Sequence, residues 1–169
     1  MRNAGRLIQE GRVDGVKLEG GEVRVPHIEA LIDAEIPVMG HLGLTPQSVL
    51  EFGGYKIQGR SPSAVTALTD DARRLEDAGC FAIVLEGMPE IASQAITEMV
   101  SVPTIGIGAG TTCDGQILVT PDLLGMTERV PKFVRKYADI RKVTSDAVKA
   151  YVGDVRSGNF PNDSETYQE

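Results

Sequence analysis

The chain has 169 residues, 41% of them hydrophobic and 24% charged, which is the size and balance of a single soluble domain able to bury a core. A formal net charge of -7 without any Lys/Arg cluster argues against duplex nucleic acid or an anionic membrane surface as partner. No apolar run approaches the roughly 18 residues of a membrane span, and the first residues lack a signal peptide's apolar stretch, so no membrane is expected and cytoplasm is the expected compartment.

A helical pattern over 3–10 opens the chain. The first strand-like run, Val13–Leu18 (VDGVKL), ends at Glu19-Gly20-Gly21. A helix is predicted over Arg24–Ala34, with Val25, Ile28, Leu31 and Ile32 on one stripe. The second run, Ile36–Met39, ends at Gly40-His41. A helix over Ser63–Ala78 carries Val65, Leu68, Ala72 and Leu75 and closes at Gly79, where a positive φ costs glycine nothing. The third run, Phe81–Leu85 (FAIVL), ends at Glu86-Gly87. A helix over Pro89–Met99 follows, with proline at its start. The fourth run, Val102–Ile107, ends at Gly108-Ala109-Gly110, and the fifth is Gln116–Thr120. Pro131–Tyr137 and Ile140–Val155 read as two closing helices.

The runs are short, rich in β-branched residues and continuously apolar, as in parallel strands buried on both faces. Strands alternating with helices predict an α/β fold. EIPVMGHLG and SVPTIGIGAG form a weak internal repeat of helix end, proline, strand and glycine loop. Five strands fall short of the eight that close a (β/α)₈ barrel in about 250 residues. The residues leave two architectures open, a five-stranded open sheet or the later part of a barrel. The 23-residue stretch Gly40–Pro62 is long enough to suggest a functional loop. Residues 1–157 read as one domain, and 158–169 as a polar, poorly ordered tail.

Polar residues gather where the strands end: Lys17 and Glu19 on the first, His41 on the second, Glu86 on the third. That edge binds ligands in barrels and open parallel sheets alike. Lys17 and Glu19, two apart, point to one side of their strand; a structural Lys–Glu pair accounts for them equally well. Glu86, after a dry strand, is placed for proton transfer, or is a solvated carboxylate at a strand–loop junction or a cap of the next helix. His41 is a base, a ligand or a structural hydrogen-bonding residue, whereas His27 reads as a surface residue. GIGAG (Gly106–Gly110) has the backbone N–H groups to cradle a phosphate but departs from G-x-G-x-x-G because Thr111 stands at the third glycine position; a tight turn is preferred to nucleotide binding, and contact with another ligand stays open. Cys80 and Cys113, without a CxxC, do not suggest a disulfide framework or a zinc site. Any metal would be held mainly by carboxylates, which favours a hard ion such as Mg²⁺.

The segments VKLEGGE, PVMGHLGLTPQSVLEFGGYKIQGR, AIVLEGMPEIASQAI, VPTIGIGAGTTCDGQILV, PKFVRKYADI and VRSGNFPNDSE resemble, in order, the ketopantoate hydroxymethyltransferase family. The resemblance implies a (β/α)₈ barrel, of which this chain holds the last five β/α units plus C-terminal helices. It also implies a homo-oligomer. The implied reaction moves a hydroxymethyl group from 5,10-methylenetetrahydrofolate to the keto acid 3-methyl-2-oxobutanoate, with Mg²⁺, giving 2-dehydropantoate. By resemblance Glu86 is the proton acceptor, Lys17 binds the keto acid, His41 lies near the substrate, and Glu19 belongs to the magnesium site. The family's first three strands, with an Asp-Ser motif and a second aspartate, have no counterpart in this sequence. The alternative reading is therefore an inactive truncated remnant, at most a structural or oligomerisation module.

Overall fold

The computed structural model describes residues 1–50 and 53–168. Glu51 and Phe52, in the long 40–62 stretch, and Glu169, at the end of the tail, lie outside the described residues. The chain forms two compact units, Met1–Ile117 and Leu118–Glu169.

In the first unit, α1 (Arg2–Gln9) precedes β1 (Val16–Glu19), α2 (Val25–Asp33), β2 (Val38–Gly43), α3 (Pro62–Asp77), β3 (Ala82–Glu86), α4 (Glu90–Met99), β4 (Thr104–Ile107) and β5 (Gly115–Gln116). The five strands lie side by side in chain order, every pair parallel. A doubly wound sheet reverses its strand order at a switch point; this one advances one strand at a time without reversal. With α2, α3 and α4 in the first three connections, that is the winding of a (β/α) barrel, here in a five-stranded segment.

Strand alternation divides the sheet into two faces. Val16, Val38, Leu42, Ile83 and Leu85 are buried against Ile28 and Leu31 of α2, Ala72 and Leu75 of α3, and Ala92 and Ile96 of α4. Lys17, Glu19, Met39, His41, Gly43, Val84, Glu86, Ile105 and Ile107 occupy the other face, as the register requires.

The helix ends follow local chemistry. Ser61 caps α3 by accepting from the Ala64 amide at 3.2 Å, and Pro62 opens the helix. At the other end Gly79, with φ +95°, donates to the Glu76 carbonyl, while Cys80 donates to that of Leu75; this paired closure satisfies two otherwise orphaned carbonyls. The Glu76 carboxylate accepts from the Ser101 amide at 2.7 Å, the Ser101 hydroxyl at 2.5 Å and the Val102 amide at 3.2 Å. These bonds clamp α3 to the α4–β4 connection and hold the Glu76 carboxyl below its usual range, the Ser101 hydroxyl contributing most.

Three expected elements differ. The second strand runs on through His41 and Leu42 to Gly43, because both neighbours supply ladder partners at His41 and β3 supplies them at Leu42 and Gly43. The fifth strand covers only Gly115–Gln116; the rest of the expected run leads into a helical turn, α5 (Thr120–Leu123), whose Pro121 has no N–H for a ladder. Pro131–Tyr137 is not a helix. Seven residues are too few to sustain one without strong packing, and the Tyr137 amide donates instead to the Leu123 carbonyl at 2.8 Å.

The second unit is built on α5 and α6 (Ile140–Ser157). Asp139 caps α6 by accepting from the Lys142 amide at 3.0 Å, and Gly158 ends it with φ +77°. The tail carries a short 3-10 turn, Asp163–Glu165, closed by a reciprocal capping box between Asn162 and Glu165.

Candidate active site

Four ionisable side chains stand on the face of the sheet turned away from the helices. Glu19 ends β1, and register places it beside His41 on β2, which in turn pairs with Val84 on β3. Glu86, two residues beyond Val84 on the same face, pairs with Gly43. Diagonal neighbours of this kind lie within reach of long side chains. Glu86 Oε2 is 3.2 Å from His41 Nε2, and Glu19 Oε1 is 3.7 Å from His41 Nδ1. The structure thus brings Glu19, His41 and Glu86 into one row with the imidazole in the middle.

The row lies at the margin of solvent. The His41 side chain is 1% exposed, against 12% for Glu19 and 16% for Glu86. Among the described residues, neither ring nitrogen of His41 has an aligned hydrogen-bond partner. A buried imidazole without such a partner carries a desolvation cost that structural histidines avoid.

Backbone contacts hold the Glu19 carboxylate and the main chain at both glutamates. The Gln47 amide donates to Glu19 Oε2 at 2.9 Å, and Arg24 Nε donates to the Glu19 carbonyl at 3.0 Å. Gln47 belongs to a 3-10 turn, Pro46–Ser48, whose first amides are free to donate. Beyond the strands, the Leu44 amide donates to the Glu86 carbonyl at 2.8 Å. Gly43 makes that approach possible: its φ is +93°, and a Cβ there would collide with the Glu86 carbonyl oxygen and Met88 Cε.

Lys17 sits one layer below, opposite Met39. Among the described residues no ion pair involves it. It lines an open cleft of about 430 Å³ with Glu19, Arg24 and Gln47, so Lys17 and Glu19 face a common space. His27 lies along the same cleft. Gln47 and Arg24 were not singled out by sequence reasoning; the TPQS turn is a signal for the first, whereas Arg24 acts through a backbone carbonyl that no side-chain pattern marks.

The GIGAG loop packs against α4. The Glu90 carboxylate accepts from the Thr111 hydroxyl at 2.6 Å and amide at 2.8 Å, which holds its carboxyl below the usual range, the hydroxyl contributing most. Ser93 Oγ donates to the Ala109 carbonyl. A carboxylate already occupies the Thr111 amide, so the loop does not offer that donor to a phosphate. Cys80 is buried, which pushes its thiol up to about 11, and it stays a core residue.

Among the described residues no three His, Cys, Asp or Glu side chains stand close enough to hold a metal ion. One oxygen of Glu19 is bonded to the Gln47 amide and the other faces His41. The residues present do not make a complete magnesium site.

A family model described as ketopantoate hydroxymethyltransferase matches residues 1–163. A 3-methyl-2-oxobutanoate hydroxymethyltransferase of Clostridium beijerinckii is 56% identical over 167 residues, covering 98% of this chain and 61% of its own length. Proteins of the same name from Clostridium botulinum and Clostridioides difficile are 53% and 51% identical, covering 99% of this chain and 62% and 61% of their own lengths. The chain spans about three fifths of these relatives.

Proposed function

The chain belongs to the ketopantoate hydroxymethyltransferase family, and from that premise we propose that it carries the proton-transfer centre of a 3-methyl-2-oxobutanoate hydroxymethyltransferase. The observation behind this reading is the Glu86 carboxylate at the end of β3, nearly buried and 3.2 Å from the imidazole of His41. Glu86 takes the proton from C3 of 3-methyl-2-oxobutanoate. That carbon is acidic because the electron pair left behind moves into the neighbouring C2 carbonyl as an enolate. A carboxylate suits the task when it is held at the reacting carbon and shielded from water. Lys17, free of ion pairs among the described residues, neutralises the substrate carboxylate from the cleft it shares with Glu19. The enolate carbon then takes the one-carbon unit of 5,10-methylenetetrahydrofolate, water supplies the hydroxyl oxygen, and tetrahydrofolate leaves with 2-dehydropantoate as product.

We assign Glu19 to the magnesium environment of the family reaction. Because the residues present do not complete an ion site, no step is routed through the metal. The keto acid and the folate are the partners of this reading. A homo-oligomer in the cytoplasm completes it: the outer edges of β1 and β5 have no strand partner among the described residues, and such edges favour association. No helix among the described residues is long and apolar enough to cross a membrane.

The test is proton exchange at C3 of 3-methyl-2-oxobutanoate, followed by NMR in D₂O with Mg²⁺ present. The methyl doublet collapses as deuterium replaces the C3 hydrogen, and this half-reaction needs no folate. The wild-type chain should exchange faster than the buffer, and Glu86→Gln should lower the rate by about 10²–10⁴-fold. A folded wild-type sample that exchanges no faster than Glu86→Gln overturns the reading.

A further inference from the structure

We propose that His41 is a positioning residue that selects which oxygen of Glu86 accepts the substrate proton. Its Nε2–H holds Oε2, and Oε1 is left facing the reacting carbon. The inference rests on the proton-acceptor reading of Glu86 and extends it.

Three observations carry it. First, the backbone at the ring is held in place: His41 is paired with Glu19 on one side and Val84 on the other, and its carbonyl accepts from the Gly20 amide at 3.0 Å. Second, the ring is 1% exposed, and neither nitrogen has an aligned partner among the described residues. A histidine at that depth is ordinarily hydrogen-bonded, and the Glu86 carboxylate is within that distance of Nε2. Third, a Glu86 carboxylate oxygen lies 3.2 Å from Nε2, off hydrogen-bond alignment. Contacts of this sort tighten when substrate fills a site.

Chemistry fixes the direction of the bond. An ionised carboxylate only accepts, so Nε2 carries the hydrogen. On the other side, Glu19 Oε1 at 3.7 Å lies beyond hydrogen-bond reach of Nδ1. Of the two carboxylates, Glu86 and not Glu19 is within hydrogen-bond distance of the ring. A carboxylate held through one oxygen loses its rotation about the terminal bond, and the other oxygen keeps one direction. Depth matches the role: His41 pairs with Val84, two residues before Glu86 on the same face, and its side chain is 1% exposed against 16% for Glu86.

The experiment has two arms on the full chain. The first is a long-range ¹H–¹⁵N correlation of the imidazoles, read with 3-methyl-2-oxobutanoate at saturation. With only His27 and His41 in the sequence, a His27→Gln variant assigns both. The expected result is a hydrogen on His41 Nε2 and a shift of that resonance in Glu86→Gln but not in Glu19→Gln. A hydrogen on Nδ1 alone, or an Nε2 resonance blind to Glu86→Gln, overturns the proposal. The second arm measures C3 exchange for His41→Gln and His41→Asn. The glutamine amide reaches the place of Nε2, whereas asparagine reaches only that of Nδ1. His41→Gln should keep the exchange kcat within a few-fold, and His41→Asn should lose about 10²-fold with KM unchanged, as expected for a misaligned reacting group. Equal effects of the two variants, or a change confined to KM, also overturn it. Absence of exchange in the wild type, with an Nε2 resonance that still responds to Glu86→Gln, removes the proton-acceptor role and leaves the His41–Glu86 contact standing.

Discussion

The two faces of the sheet are made by the same five strands and obey different rules. Toward the helices, Val16, Val38, Leu42, Ile83 and Leu85 are apolar and buried. On the opposite face, one residue along each strand, stand Lys17, Glu19, His41 and Glu86. Leu85 and Glu86 are neighbours in sequence and belong to different faces. The lesson is that a single strand holds the fold with one set of side chains and presents reactive groups with the next.

Substitutions on the two faces should separate stability from turnover. Removing the Glu86 carboxylate should have the largest effect on chemistry, the loss of exchange stated above, while the thermal midpoint moves little because the side chain sits at a strand end. Leu85→Ala should do the reverse. Its side chain is fully buried, so truncation should cost about 2–5 kcal/mol in urea unfolding, with exchange per folded molecule retained. Equal loss of stability in both variants would erase the comparison.

Gly43 sharpens it, since it belongs to the backbone that joins the faces. Gly43→Ala should cost about 1–3 kcal/mol through its positive φ, and should also slow exchange, because its Cβ would push on the Glu86 carbonyl. A variant with normal exchange would show that the Leu44–Glu86 bond does not position the carboxylate.

The smallest effects lie far from the centre. Glu76→Gln weakens the clamp on Ser101 and should cost about 1 kcal/mol, with exchange unchanged. Glu76, Glu90 and Asp114 all have carboxyls lowered by hydrogen bonds, from Ser101, Thr111 and Thr104 respectively. A carboxyl with a lowered folded pKa stabilises the fold above the ordinary carboxylate range and ceases to do so as pH falls through the lowered value. Unfolding measured against pH should therefore show stability falling below about pH 4, and Glu76→Gln should flatten part of that slope.

Much of the helix-facing side was legible in the sequence. The stripes Ile28, Leu31 and Ala72, Leu75 are spaced as a helix requires, and Gly79 marked a stop that the paired closure makes good. The extent of β2 was not legible: GHLG has the composition of a turn, and only its two neighbouring strands supply the partners that extend it through His41. The fifth strand and the Pro131–Tyr137 segment failed for the same reason, because backbone donors were taken by distant carbonyls or missing at proline. Glu86, Lys17, Glu19 and His41 could each be chosen as a polar residue near the end of an apolar run. The resemblance in GHLGLTPQS and FGGYKIQGR carried their roles; alternation and spacing did not.

The sequence by itself determined the alternation of strand and helix, the apolar stripes, the helix stops and the family, because these depend on residue types at short separations. Tertiary structure alone decided the sequential order of the strands and the row of Glu19, His41 and Glu86. That row depends on the register of three parallel strands, and a shift of one residue in any of them would turn its side chain to the opposite face.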